Sequence, residues 1–151
     1  MSTPRTNPYS NFNFMVEADG IGEIGAFSEV SGLDSENTPI EYREGMDAVN
    51  APRKIPGMEK YSNVVFKRGI TGSLAMWEWR KEVRDSSATA PPARTVRVHL
   101  LNENHDTGSP AMTWVLYGAW PTKITGPSLN AKGNEIAIEQ IDLVVERLDI
   151  E

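Results

Sequence analysis

Cysteine is absent from the 151 residues. That one absence removes disulfides, thiol nucleophiles and Cys-zinc sites together. Histidine is nearly absent too, with only His99 and His105, so the usual tools of acid-base and metal chemistry are few. No run approaches the roughly 18 apolar residues that a membrane-spanning helix needs, and the opening MSTPRTNPYSN has no apolar signal-peptide core. The expectation is a chain made and assembled in the cytosol. An excess of basic charge is also missing: 21 acidic residues face 15 basic ones, for a net charge of −6. A protein that grips phosphate backbones needs the opposite balance. The length fits one domain, able to bury roughly 70% of its unfolded surface without staples.

The distribution of charge says more than its sum. Residues 11–40 hold six carboxylates and no base, and residues 133–151 hold six carboxylates against Arg147 alone. Between them, residues 41–70 gather Arg43, Arg53, Lys54, Lys60, Lys67 and Arg68, six of the fifteen bases, with four acids. Two readings fit: an unevenly charged solvated surface, or a basic edge that meets the acidic edge of an identical neighbour.

Period-2 patterning dominates the chain. NFNFMVEA places Phe12, Phe14, Val16 and Ala18 on one face, and further strand signals follow in EIGAFSEVS, TPIEYRE, YSNVVFKR, RTVRVHLL, AMTWVLYGAW and NEIAIEQIDLVVERLDI. One helix is predicted over residues 73–85, with Ser73 as N-cap and Met76, Trp79 and Val83 as its apolar stripe. SSATAPPA, residues 86–93, reads as a loop inside one domain. The class is therefore mainly β with one packed helix. Residues 1–10 read as a flexible arm and residues 11–151 as a single domain. In the last strand, Glu139 and Gln140 interrupt the apolar alternation between Ile138 and Ile141, which predicts a β-bulge there or a strand that passes from one sheet to another.

Motifs for chemistry dissolve on inspection. GIGEIG, residues 20–25, matches the dinucleotide fingerprint, but the following AFSEVSG is too short and too broken to supply the helix on which a pyrophosphate sits, so a Gly-rich hairpin turn is the plainer reading. His105 with Glu103, Asn104 and Asp106 sketches a metal or acid-base site, although a polar turn has the same composition. GSP at 108–110 lacks a nucleophile-elbow pattern. Trp77, Trp79, Trp114 and Trp120 read as core or interface anchors, with carbohydrate stacking as the lesser alternative. No catalytic constellation, metal site or cofactor follows from these residues.

The feature left unabsorbed is EGMDAVNAPRKIPGMEK, residues 44–60. As a 17-residue excursion between two strands it is long for a hairpin loop, and such loops are usually functional or disordered. Met46, Ala48, Val49, Ile55 and Met58 need something to bury them, and another subunit would serve.

An ordered series of segments resembles a known family: FMVEADG…FSEVSGLD (14–34), IEYREG (40–45), RKIPGMEKYSNVVFKRGIT (53–71), LAMWEWRKEV (74–83) and WPTKITGPSLNAKGNEIAIEQIDLVVERL (120–148). The chain is similar to the tail-tube proteins of contractile phage tails and, more closely, to the inner-tube proteins of phage-like extracellular contractile injection systems. The resemblance implies two packed antiparallel β-sheets forming a barrel-like sandwich with one helix. It implies hexameric rings stacked into a hollow tube inside a contractile sheath, with a baseplate, a tube terminator and lumen cargo, a protein effector or DNA, as further partners. The particle would be phage tail-like and released extracellularly. By analogy, Met46, Arg53, Lys54, Ile55, Met58, Lys60, Tyr61, Lys67 and Arg68 would meet a neighbouring subunit, the bases facing acidic groups there. Strand alternation offers Glu41 and Glu139 as lumen-facing carboxylates. The rivals are a myophage tail tube conducting DNA, the related tube protein of type VI secretion, and a small β-barrel enzyme or ligand-binding protein using His105.

Overall fold

The computed structural model describes residues 5–23, 27–70, 72–86 and 91–151. Ten strands and one helix occur among them: β1 (Phe14–Ala18), β2 (Gly22–Glu23), β3 (Glu29–Ser31), β4 (Ser35–Tyr42), β5 (Arg53–Tyr61), β6 (Val64–Gly69), α1 (Ala75–Asp85), β7 (Arg94–Leu100), β8 (Met112–Thr125), β9 (Ile138–Val144) and β10 (Arg147–Ile150). Eight strands make one antiparallel ribbon in the order β2-β1-β7-β8-β9-β6-β3, with β10 also on β8. The ribbon folds along β8 into two packed leaves. One leaf is β2-β1-β7 with the first half of β8 and β10, and the other is the second half of β8 with β9, β6 and β3. The result is the expected sandwich, left open as a barrel: no ladder joins β2 to β3 among the described residues.

Alternation fixes what is buried. Val16 and Ala18 of β1 and Val96 and Val98 of β7 face Val64 and Phe66 of β6 and Ile141 and Leu143 of β9 across the interior. Phe27 lies 5.3 Å from Phe66, ring centre to ring centre. Helix α1 closes one side with Met76 and Trp79 buried and Val83 packed beside them. Its first residue is Ala75, two later than predicted. Ser73 is not the cap: Leu74 takes the N-cap position with no side-chain cap hydrogen bond, and the Ser73 carbonyl accepts from Arg68 (3.3 Å), while at the other end the Ser86 hydroxyl donates to the Val83 carbonyl at 2.8 Å. Trp79 donates its indole N–H to the Pro92 carbonyl at 2.8 Å, tying the start of β7 to the helix.

The expected bulge at Glu139 and Gln140 is absent. The β6–β9 ladder runs from Gly69↔Ile138 to Val64↔Leu143 without a register shift. Glu139 shares its parity with the buried Ile141 and Leu143, so it belongs to the inward row and pairs directly with inward Arg68. Ile136 and Ile138 are exposed. The extra residue sits instead in β8, where Thr122 falls between the Pro121↔Leu143 and Lys123↔Asp142 pairs. The final strand does change leaf, but at Val145–Glu146, opposite Gly118. Gly118 has φ +63°, and a Cβ there would lie 2.8 Å from the Glu146 carboxylate. Only glycine adopts that bend without cost.

GIGEIG begins in a hairpin turn. The Ile21 N–H bonds the Ala18 carbonyl, and β1 pairs with β2 through Ala18↔Gly22. Its last two residues, Ile24 and Gly25, lie outside the described residues.

The described part of the N-terminal arm is anchored. Arg5 donates to both Glu103 carboxylate oxygens (2.6 and 2.9 Å) and to the Asn7 and Pro8 carbonyls, and lies 3.8 Å over the Tyr9 ring. The hydrogen bond from Arg5 lowers the Glu103 pKa from 4.5 to about 2. A depressed carboxylate contributes to the fold above its unfolded pKa and loses that contribution as pH falls through the folded one. The arm is therefore expected to release between about pH 4.5 and pH 2. An NMR titration of Glu103 should give a midpoint near 2, and Arg5→Ala should return it to the ordinary carboxylate range. An unmoved midpoint in Arg5→Ala would contradict the assignment.

Candidate subunit interface

Segment 44–60 is not a loop between two strands of the sandwich. Its second half is strand β5, and β4 and β5 form a separate two-stranded hairpin that, among the described residues, packs on little besides itself. Two features of sequence produce it. Ile40↔Ile55 and Tyr42↔Arg53 stack along one face, while Glu36↔Lys60 and Glu41↔Lys54 place opposite charges across the strands. Midway, Thr38 opposes both Gly57 and Met58, a bulge between the Asn37↔Glu59 and Pro39↔Pro56 pairs. Gly57 is required there, because a Cβ would lie 2.1 Å from the Thr38 carbonyl.

The connection 43–52 is organised by its own polar groups. Arg53 pairs with Asp47 and reaches toward Glu44 (3.9 Å); the Glu44 N–H donates to Asp47 (2.9 Å), and Arg43 donates to the Val49 carbonyl and to Asn50. Arg53, with help from the Glu44 N–H, holds the Asp47 carboxyl below the usual carboxylate range. These bonds shape a tip from which Met46 projects at 95% exposure, with Val49 nearby and Met58 at 85% on β5. Ile40, Tyr42 and Ile55 are exposed as well.

The basic cluster is thus rearranged. Within residues 35–61 the bases Arg43, Arg53, Lys54 and Lys60 stand among the acids Glu36, Glu41, Glu44, Asp47 and Glu59, a net charge of −1. The hairpin is close to neutral, and its distinctive exposed surface is apolar. Seven predicted residues, Met46, Arg53, Lys54, Ile55, Met58, Lys60 and Tyr61, do come together on it. Tyr61 donates to Glu59 (2.6 Å), a bond that raises the Tyr61 pKa. Lys67 and Arg68 lie elsewhere, on β6. Lys67 pairs with Glu29 of β3 at 3.2 Å. Arg68 corrects the expectation of a surface cation: its place in the alternating row after Val64 and Phe66 turns it inward to 5% exposure, paired with Glu139 and 5.8 Å from the Phe27 ring. Glu139 is accordingly held by an internal counter-ion, whereas Glu41 lies exposed on the hairpin beside Lys54. Ile40 and Tyr42 were missed because TPIEY reads as an ordinary half-buried strand, and nothing in its alternation tells that the sandwich does not cover it.

His105 occupies a turn at φ 57°, where Asn102 accepts from the Asn104 and Asp106 N–H groups and Asp106 accepts from the Gly108 N–H. Among the described residues no three His, Asp or Glu side chains converge on a metal-sized site. His99 joins neighbouring strands, with Nδ1 2.8 Å from the Thr113 hydroxyl and Nε2 3.1 Å from Glu17. Thr113 is buried, so this row cross-links β1, β7 and β8.

The geometry is thus that of a small sandwich bearing an apolar hairpin that the other described residues leave unsupported. The chain belongs to the T4-like virus tail tube protein gp19 family, whose model matches residues 10–149. It is similar to a chain of the sheath-tube complex of an extracellular contractile injection system, PVC, in the extended state, at 28% identity over 95% of this chain and 91% of that one, with a TM-score of 0.81. It also resembles a chain of the anti-feeding prophage tube-terminating cap, at 28% identity over 100% and 95% of the two chains, with a TM-score of 0.83. Hcp1 from Flavobacterium johnsoniae shares the fold, at 12% identity over 92% and 94%, with a TM-score of 0.54. No curated protein matches the chain.

Proposed function

We propose that the chain is the repeating subunit of the hollow inner tube of a phage-like contractile injection system, in which hexameric rings stack through the β4–β5 hairpin. The observation that carries this reading is the hairpin itself: Ile40, Met46, Val49, Ile55 and Met58 are exposed on an element that the other described residues leave uncovered, and a second copy supplies the missing cover. Residues 11–151 act as the tube domain, and Arg5 of the arm before them stays on the turn that holds Glu103. The role is mechanical rather than enzymatic. Sheath contraction drives the rigid tube through a target envelope, and cargo, protein or DNA, moves in the lumen. The partners are the sheath, the baseplate and the tube terminator, and the particle is assembled in the producing cell before release.

The family and the sheath-tube resemblance support this reading. A myophage tail tube shares the same subunit geometry and differs in what fills the lumen. Deleting the coding sequence from a producing strain tests the proposal. Electron microscopy should show no complete sheathed particles, with restoration by the native chain. Normal particles in the deletion strain would overturn it.

A further inference from the structure

In a chain without cysteine, the thioether sulfur of methionine is the group that peroxides attack most readily. Its distribution is uneven. Of the six methionines, Met1 lies outside the described residues, Met76 is buried in the core, and Met15 and Met112 are half-buried in the paired strands β1 and β8. The two left in the open, Met46 and Met58, both belong to the β4–β5 hairpin.

Local bonds keep them there. The Asp47 N–H donates to the Glu44 carbonyl at 3.1 Å, and the Asp47 carboxylate accepts from the Glu44 N–H and from Arg53. These groups satisfy one another and shape the tip without folding over Met46, whose side chain stays in water. Met58 stands in the bulge opposite Thr38, on a hairpin that the other described residues do not cover. A dissolved oxidant therefore reaches both sulfurs without any opening of the fold, whereas at Met76 it must wait for the core to open.

Oxidation by hydrogen peroxide moves one oxygen onto sulfur. The O–O bond breaks, an S–O bond forms, sulfur gives up two electrons, and the second oxygen leaves as water with both protons. An apolar side chain has become one that carries a strong hydrogen-bond acceptor. On the free subunit water satisfies that acceptor. In a dry contact between copies it goes unsatisfied, which is costly.

We propose that Met46 and Met58 form a paired oxidation site through which a peroxide holds the free subunit out of assembly. The proposal rests on the tube reading and adds regulation to its hairpin. Sulfoxide at both positions leaves the fold intact and weakens the joint, and reduction of the sulfoxides restores it.

The test exposes dissociated native subunit to hydrogen peroxide and follows each methionine by mass spectrometry of its peptides. One-oxygen increments should appear at Met46 and Met58 about tenfold faster than at Met76, and the melting temperature should stay within about 2 °C of the untreated value. Subunit oxidised at both residues should need a concentration higher by about tenfold or more to form tubes. The two epimer-specific methionine sulfoxide reductases, supplied with a dithiol that becomes a disulfide as the oxygen leaves as water, should return the native tube yield. Met15→Leu/Met112→Leu subunit should be inhibited just as the native chain is, because volume-conserving swaps at the half-buried sulfurs leave the hairpin untouched. The proposal is overturned if Met76, Met15 or Met112 oxidises first, if doubly oxidised subunit unfolds or builds tubes at the native concentration, or if Met15→Leu/Met112→Leu escapes inhibition. Failure of the untreated native subunit to form tubes counts against the tube reading instead.

Discussion

Met46→Asp/Met58→Asp should leave the monomer folded and abolish stacking. Both side chains are exposed in the isolated subunit, so the substitution removes nothing from its core, and the melting temperature should stay within about 2 °C of the native value, since exposed substitutions cost little. In the assembly the balance reverses. Burying a Met contributes about 1.5–3 kcal/mol, so losing two weakens each contact by about 3–6 kcal/mol, more than a hundredfold. Carboxylates forced into the same contact add a desolvation cost. Because the contact repeats around every ring, the loss multiplies. Sedimentation and electron microscopy should find no tubes, and tubes of native length would refute the hairpin as the joint.

The second large effect lies inside the subunit. Arg68 and Glu139 face each other across β6 and β9, with side chains 6% and 20% exposed. Removing one partner of such a pair leaves the other charge without its counter-ion, at about 3–5 kcal/mol for full burial. The partial exposure of Glu139 argues for the low end. Glu139→Leu should therefore cost about 3 kcal/mol, a fall of roughly 6–12 °C in melting temperature for a chain of this size. Arg68→Met/Glu139→Leu should recover most of that loss, since apolar residues of similar volume can replace a buried pair at little net cost. A double variant no more stable than Glu139→Leu alone would show that the two side chains are not coupled.

These two residues also show where sequence reading ran out. Alternation located β1, β6, β7, β8 and the helix and ran β9 and β10 together as one strand, because a half-buried surface imposes period 2 or 3.6 on its apolar residues, whereas EIGAFSEVS, read as one strand, holds the two short strands β2 and β3 at its ends. The same rule assumes that inward means apolar. Arg68 and Glu139 occupy inward positions as a mutually neutralising pair, so the pattern read one as a surface cation and the other as the edge of a bulge. The hairpin was half legible. Met46, Val49, Ile55 and Met58 announced that something must cover them, and Pro56-Gly57 broke the pattern. Yet the extent of β5 was hidden, since Lys54 and Lys60 face Glu41 and Glu36 across the hairpin through pairings that only the register discloses, and Arg53 turns back to Asp47 of the connection. The basic cluster thus called for a partner that is mostly its own other strand.

The cysteine-free sequence supplies the most direct test of the hairpin. Met46→Cys places a single thiol at the projecting tip, and its rate of alkylation by a bulky maleimide can be compared between dissociated subunits and intact tubes. If copies are joined there, labelling should slow by about tenfold or more on assembly, as for a side chain moved from water into a packed interface. Equal rates in subunit and tube would place the tip in open solvent in both, and the hairpin would not be what holds the rings together.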